Sequence, residues 1–404
     1  MKQIFLKKGK EESLNRFHPW VFSGAIHHFS LQPDEGEVVE VYASTPNENG
    51  NGWDFKYMAT GHFQIGSIMV RILSFEREEI NENFYFRKID SAFKMRKTLG
   101  VVMNSENSNN TYRLVHGEGD NLPGLVIDIY GRTAVLQAHS VGMHEDRMII
   151  AEALKSVLDT DIDNIYYKSE TTLPFKAELG QENGFLIGGD KNDVAMENGL
   201  KFHVDWLKGQ KTGFFIDQRE NRTLLQKYAK DKRVLNMFCY TGGFSFYALR
   251  GGASVVHSVD SSQKAIDLTN ENVELNFPND GRHKAFAQDA FKFLDDIKKG
   301  EYDIIVLDPP AFAKHKDAVR NAMKGYSRLN QKALEKLPEG GLLFTFSCSQ
   351  VITKDAFRTA VFTAAIHAKR KVRILHQLHQ PADHPINIYH PEGEYLKGLV
   401  LYVE

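Results

Sequence analysis

Apolar positions follow two different rhythms along this chain, and the change of rhythm divides it. Up to Leu73 the apolar runs are short and turn-bounded, as in GEVVEVYAS, DFKYMATGHF and SIMVRIL, with PNENGNG as a turn-rich loop. This pattern predicts the strands of a small β-barrel over residues 1–73. From Glu76 the period lengthens. EEINENFYFRKIDSAFKMRKTLG reads as an amphipathic helix, and the polar SENSNN breaks it. LPGLVIDIYG and RTAVLQAHS read as strands, HEDRMIIAEALKSVL as a helix, and NIYYKS follows. Residues 74–199 are therefore expected to form a mixed α+β domain.

From about Arg219 strands and helices alternate regularly. RVLNMF, SVVHSVD, HKAFAQD, YDIIVLDPP and GGLLFTFSCS are the strand series. FSFYALRGG and SSQKAIDLTNENVELN are helices between them, and KVRILHQLHQ and YLKGLVLYVE close the chain. Such alternation predicts an α/β domain over residues 200–404, an open and mainly parallel sheet with helices on both faces. Ligands of such sheets sit outside the carboxyl ends of the strands.

Composition narrows the class. The 404 residues suit two or three domains, and 42% hydrophobic with 25% charged residues is an ordinary globular balance. No apolar run approaches the roughly 18 residues that span a membrane. MKQIFLKKGKEE has no signal-peptide core, so a cytoplasmic location is expected. Two cysteines, Cys239 and Cys348, make a disulfide framework or a Cys-rich zinc site an unsuitable reading, and no metal is expected. The net charge of -2 decides nothing about nucleic acid. Locally, Lys314, Lys316, Arg320, Lys324, Arg328 and Lys332 stand against the single acid Asp317, and Lys369, Arg370, Lys371 and Arg373 form a second basic cluster. Either could bind phosphates or be a solvated helix face.

A cofactor turn follows the strand RVLNMF. Gly242 and Gly243 let the backbone turn tightly and approach a ligand, although a tight turn alone would explain them. The pattern is not the dinucleotide fingerprint, so no pyrophosphate is implied. Asp260 ends the next strand, 18 residues after Gly242, where an acid can accept from both ribose hydroxyls. Asp289 ends the third, where an acceptor can meet an adenine amino group. Either acid could instead cap a helix. Upstream, KTGFFIDQRENR offers Phe214 and Phe215 as pocket walls, and Arg219 and Arg222, one helical turn apart, to hold a carboxylate. Core aromatics at a helix start are the plainer alternative.

Two strand ends carry candidate chemistry. In IIVLDPPAFAK, Pro309 and Pro310 stiffen the backbone after Asp308. In LLFTFSCS, Cys348 lies just past the neighbouring strand. Carbon 5 of a pyrimidine is barely nucleophilic until a thiolate adds to carbon 6, so its methylation needs covalent catalysis by a partly ionised thiol. Asp308, sharing a proton with cytosine N3, would stabilise that adduct. Methylation of an exocyclic nitrogen usually places an aromatic directly after the paired prolines; here Ala311 intervenes before Phe312. A small buried hydrophobe is the alternative for Cys348, and Cys239 in the glycine turn is read as pocket lining.

These residues resemble the large-subunit ribosomal RNA methyltransferase I family over nearly the whole chain. LKKGKEESLNRFHPWVFSGAI is similar to its N-terminal PUA domain and RLVHGEGDNLPGLVIDIYG to its central domain. KTGFFIDQRENR, NMFCYTGGFSFYAL, SVDSS, LDPPAFAK, SCS and DHP…PEGEYLKG follow its catalytic domain in order. The resemblance implies an N-terminal PUA-like β-barrel that binds RNA, a central α+β domain of the EEHEE type and a C-terminal Rossmann-like class I domain. It implies S-adenosylmethionine as cofactor and cytosine C5 of 23S rRNA as target. Cys348 is then the nucleophile and Asp308 the acid that contacts the base. Phe214, Asp217, Arg219, Arg222, Phe238, Tyr240, Thr241, Gly242, Asp260, Asp289 and Asp308 would line the cofactor site. Pro309, Pro310, Phe312, Lys314 and His384 would meet the substrate, although His384 in ADHPIN could equally be a loop histidine bonded to backbone. RNA is the expected partner, no membrane is involved, and a homodimer is compatible with this reading. A guanine or adenine N-methyltransferase and a non-catalytic RNA-binding assembly factor remain the competing functions. The barrel's Lys7, Lys8, Lys10 and Arg16 are offset by Glu11 and Glu12, so its charge adds little to the RNA reading.

Overall fold

The short apolar runs before Ser74 become six strands: β1 (Lys2–Leu6), β2 (Trp20–Phe22), β3 (Ile26–Phe29), β4 (Val38–Pro46), β5 (Trp53–Phe63) and β6 (Ile68–Ser74). Their order in the sheet is β2-β6-β5-β4-β1-β3. The two edge strands, β2 and β3, are joined by the short turn Ser23–Ala25. Such a turn can only bridge edges that lie close together, so the sheet curls into a PUA-like barrel around Ile4, Leu6, Val39, Val41, Phe63 and Val70. The computed structural model describes residues 1–47, 52–103, 108–174, 179, 182–189 and 194–404. Most of the loop PNENGNG and part of SENSNN lie outside the described residues.

The predicted helix runs over Glu82–Thr98, capped by Asn81, whose side chain accepts from the Phe84 amide at 3.1 Å. A five-stranded sheet follows, ordered β11-β10-β9-β8-β7. It comprises β7 (Thr111–His116), β8 (Leu125–Tyr130), β9 (Thr133–Ala138), β10 (Asn164–Tyr167) and β11 (Gly184–Ile187), with helix Arg147–Leu158 between β9 and β10. β7 is an addition to the expected pattern. β12 (Val194–Glu197) comes next, and β13 (Leu200–His203) lies beyond a two-residue turn.

The chain divides into two compact units. The first comprises Met1–Asn198, Val204–Phe214 and Ala382–Gly393; the second comprises Gly199–His203, Phe215–Pro381 and Glu394–Glu404. The late segment of the first unit is held at Asp383, which is fully buried. Its carboxylate accepts from the Arg113 amide at 3.0 Å, and its carbonyl accepts from Arg96 Nη2 at 2.8 Å. Arg96 has no exposed surface and also grips both oxygens of Asp120.

In the second unit, β14 (Arg233–Met237), β15 (Val255–Asp260), β16 (His283–Ala287), β17 (Ile304–Leu307) and β18 (Leu342–Ser347) run parallel. β19 (Val372–Leu378) and β20 (Lys397–Val403) complete a sheet ordered β16-β15-β14-β17-β18-β20-β19, with β20 antiparallel to both neighbours. Every residue of β17 and β18 is buried, as expected of strands covered on both faces. The order reverses between β14 and β17, the switch point at which open sheets of this kind bind ligands. Among the described residues no helix is long and apolar enough to cross a membrane.

Candidate active site

The turn after β14 is conformationally costly. Phe238, Tyr240 and Gly242 all have positive φ, at 58°, 48° and 85°. Each non-glycine residue held there costs on the order of 1–3 kcal/mol, and such strain gathers at ligand sites. Backbone bonds hold it: Cys239 N donates to Val259 O at 3.0 Å and Gly242 N to Cys239 O at 2.8 Å. Gly242 must be glycine on spatial grounds too, because a Cβ there would lie 2.7 Å from the Phe246 ring. Helix Gly243–Arg250 starts directly afterwards and aims its N-terminus at this corner.

Asp260 braces the same turn. Its two oxygens accept from the Tyr240 and Ser262 amides, each at 3.0 Å. A carboxylate oxygen has lone pairs beyond one such bond, so ribose hydroxyls can still be accepted. Asp289 lies two residues past β16 and caps helix Ala290–Asp296, accepting from Lys292 N at 3.0 Å. For this acid the capping alternative is observed. Asp217 accepts from the Tyr395 hydroxyl at 2.8 Å. Arg222 donates to Phe215 O at 2.9 Å, and Arg219 lies 3.3 Å from Glu220. The Phe215 ring meets Tyr240 edge-on at 5.2 Å, and Thr241 is buried. A strained turn, a helix N-terminus and an acid with acceptor capacity left fit a nucleoside-bearing cofactor.

Asp308 follows β17, half-buried. Burial pushes its pKa up to about 7, the Asp217 charge adds to the rise, and Gln218 and Arg222 oppose it. A carboxyl poised there can exist protonated and give a hydrogen bond at neutral pH. A carboxyl raised in the folded state binds more protons folded than unfolded between its ordinary value and about pH 7. Stability contributed by its protonated form is therefore lost as pH rises through that window. Asp308→Asn should accordingly gain stability relative to the parent by a few degrees in Tm between pH 5 and pH 8. Melting curves across that range check this; a parallel shift at every pH would sink the assignment.

The loop after Asp308 is tied to the turn after β18. Ala313 N donates to Ser349 Oγ at 3.3 Å, and the Tyr326 hydroxyl bonds Ser349 Oγ at 3.0 Å and Ser347 Oγ at 2.9 Å. Phe312 stacks on Tyr326 at 4.6 Å, so one face of its ring is already covered. Pro309 is buried, while Pro310 and Lys314 are exposed. Cys348 sits between Ser347 and Ser349 and is half-buried. Lys397, buried on β20 opposite Ser347, donates to Ser349 O at 2.6 Å and Ile352 O at 2.8 Å. Its ammonium interacts electrostatically with Cys348, and burial holds its own pKa down at about 8. A cation beside a thiol is the setting that favours thiolate. Cys239 is the opposite case: burial, reinforced by the Asp260 charge, drives its pKa far up and keeps the thiol neutral.

Sequence reasoning missed Lys397 and Tyr326. A lysine opening the apolar run KGLVLYV was the available signal for the first. The two predicted residues Phe214 and His384 fall in the first unit. Phe214 is buried with its carbonyl accepting from the Tyr130 hydroxyl at 3.2 Å. His384 is buried, with Nδ1 3.1 Å from Asp383 and its ring against His116.

Comparison with known proteins settles the class. Residues 186–387 match the family model described as S-adenosylmethionine-dependent methyltransferase, and residues 4–75 match a PUA-like domain. The Ribosomal RNA large subunit methyltransferase I of Aeromonas salmonicida is 40% identical, covering 98% of both chains. The chain belongs to the ribosomal RNA large subunit methyltransferase I family. The Escherichia coli relative of that name is 38% identical over 99% of both chains. A methyltransferase-fold structure solved with SAH has a TM-score of 0.82 at 24% identity, over 99% of this chain and all of that one, which supports the fold. As a member of this family the chain uses S-adenosylmethionine as its cofactor.

Proposed function

We propose that this chain methylates carbon 5 of a cytosine in large-subunit ribosomal RNA through a transient bond between Cys348 and carbon 6 of the base. The carrying observation is a half-buried thiol on a turn that is hydrogen-bonded both to the Asp308 loop and to the buried Lys397 ammonium. The relatives' names supply ribosomal RNA as the substrate class. The cofactor supplies an electrophilic methyl on a sulfonium. Cys348 thiolate would add to carbon 6, with the displaced electron pair collecting on N3, to which protonated Asp308 gives its proton. Carbon 5 of the resulting enamine is then nucleophilic enough to take the methyl, the sulfonium leaving as the neutral thioether. A base removes the carbon 5 proton, the carbon–sulfur bond breaks to regenerate thiolate, and the N3 proton returns to Asp308.

Two further features support this reading. No aromatic directly follows Pro310, and Phe312 is stacked on Tyr326, which leaves the arrangement poorly suited to clamping a base for nitrogen methylation. Lys314, Lys316, Arg320 and Lys324 are exposed beside the same loop and suit phosphates. Arg328 lies over the Phe291 ring and Lys332 pairs with Asp295, so the basic run is only partly available. The second basic cluster is more committed still: Arg370 donates to the carbonyls of Leu337 and Glu404, and Arg373 pairs with Glu404. The target base must be unpaired or flipped out for the thiol to reach carbon 6.

Nucleoside mass analysis of large-subunit rRNA tests the proposal. Cells lacking this protein are expected to lose one 5-methylcytidine, restored by the parent gene and not by the Cys348→Ala form. Loss of a methyl from a purine nitrogen instead would overturn it.

A further inference from the structure

His18, His390 and Glu392 come together in the first unit although they lie at opposite ends of the sequence. One side-chain donor atom from each falls within 4.8 Å of the others. Glu392 Oε2 is 3.9 Å from His18 Nε2 and 3.8 Å from His390 Nε2. These separations are too long for hydrogen bonds. They are only about half an ångström longer than neighbouring ligand atoms stand around a tetrahedral ion with bonds of roughly 2.0–2.2 Å.

His390 provides an independent observation. It is 2% exposed, and neither ring nitrogen has a hydrogen-bond partner. Buried polar atoms without partners are uncommon, and each calls for an explanation. Packing alone explains the ring position, since His390 lies against Trp20 at 4.3 Å and His18 at 5.5 Å. It does not explain two unsatisfied nitrogens. His18 Nδ1 accepts from Trp20 N at 3.2 Å and lies 3.4 Å from Trp20 O. An ion on Nε2 would select the other tautomer, with the proton on Nδ1 directed at the Trp20 carbonyl in place of the bond from the Trp20 amide, the usual outer support of a metal-bound histidine. Glu118, bonded to Trp20 Nε1 at 2.8 Å, adds negative charge beside His390.

We propose that His18, His390 and Glu392 bind a divalent transition-metal ion, Zn²⁺ in the first instance. Two imidazoles and one carboxylate form a set suited to zinc and poorly suited to Mg²⁺ or Ca²⁺, which prefer oxygen ligands. Three protein ligands leave a fourth position for water. Glu392 is half-exposed and gives the ion a way in. The bound ion clips the turn Pro391–Gly393 onto the start of β2, joining chain ends that no covalent bond holds together.

The test uses the full-length protein, stripped with chelator and titrated with ZnCl₂. Calorimetry and elemental analysis are expected to give one equivalent of zinc and a raised Tm. Glu392→Gln, at a half-exposed position that does not endanger folding, should weaken binding at least about tenfold, and His390→Gln should abolish it. Cys348→Ala should keep its equivalent, which excludes thiol binding. Co²⁺ in place of zinc should give the intense visible bands of a four-coordinate site in the parent and lose them in Glu392→Gln. Zinc uptake that is absent in the parent, or unchanged in both the Glu392 and His390 variants, would overturn the proposal.

Discussion

Replacing Cys348 with alanine is expected to lower methyl transfer by at least about three orders of magnitude, the scale on which removal of a covalent nucleophile acts. S-adenosylmethionine binding should stay within about twofold, because the turn after β14 and Asp260 are untouched. Equilibrium binding and single-turnover methylation separate the two effects. The same variant should fail to form a denaturation-resistant adduct with RNA carrying 5-fluorocytidine. In the parent that adduct is expected to accumulate, since under the proposed mechanism fluorine replaces the proton whose removal releases the thiol. A Cys348→Ala enzyme that still turns over would end the covalent mechanism while leaving the family assignment intact. Cys239→Ala offers the contrast. Its thiol is held neutral by burial, so its loss should act through packing around the turn.

Arg96→Ala is expected to be the most damaging single change to the first unit. Four of the five guanidinium donors are engaged: Nε on Arg113 O at 2.8 Å, one on each Asp120 oxygen, and one on Asp383 O at 2.8 Å. Removing the arginine strands the Asp120 carboxylate in the interior. Breaking a buried pair from one side costs about 3–5 kcal/mol. With roughly 2–4 °C of Tm per kcal/mol in a domain of this size, the melting point should fall by about 10 °C. Arg96→Met combined with Asp120→Asn should recover part of that loss, because no uncompensated charge is left behind. If both variants fell equally, packing and not charge would be the cause.

The parallel sheet and the strand ends that carry its candidate site were legible because both follow from local signals. Alternating strand and helix patterns placed β14 to β18, and strand ends carrying Gly242, Asp260, Asp308 and Cys348 needed no knowledge of distant residues. What was missed depends on contacts that a linear reading does not contain. Lys397 reads as the polar start of an apolar strand; only the antiparallel pairing of β18 with β20 brings it opposite Ser347, the neighbour of Cys348. Asp289 satisfies the pattern for a cofactor acid and for a helix cap equally, and the observed cap engages one of its two oxygens. Arg370 counts as a surface charge in a composition window, yet its donors are spent on main-chain carbonyls. Counting cysteines excluded Cys-rich zinc sites alone, and it said nothing of a pair of histidines separated by most of the chain.

The segment Ala382–Gly393 has a consequence for how this protein is made. It belongs to the first unit, and its Asp383 fills a buried position there. A ribosome finishes Met1–Asn198 long before it reaches that segment. During the interval Arg96 lacks the Asp383 carbonyl and the Arg113 amide lacks its acceptor. The amino-terminal half must therefore wait for nearly the whole second unit to be synthesised before it can close. A fragment ending at Asn198 should be expressed as an incompletely satisfied fold, and a stop codon just before Ala382 should injure the first unit as well as the second.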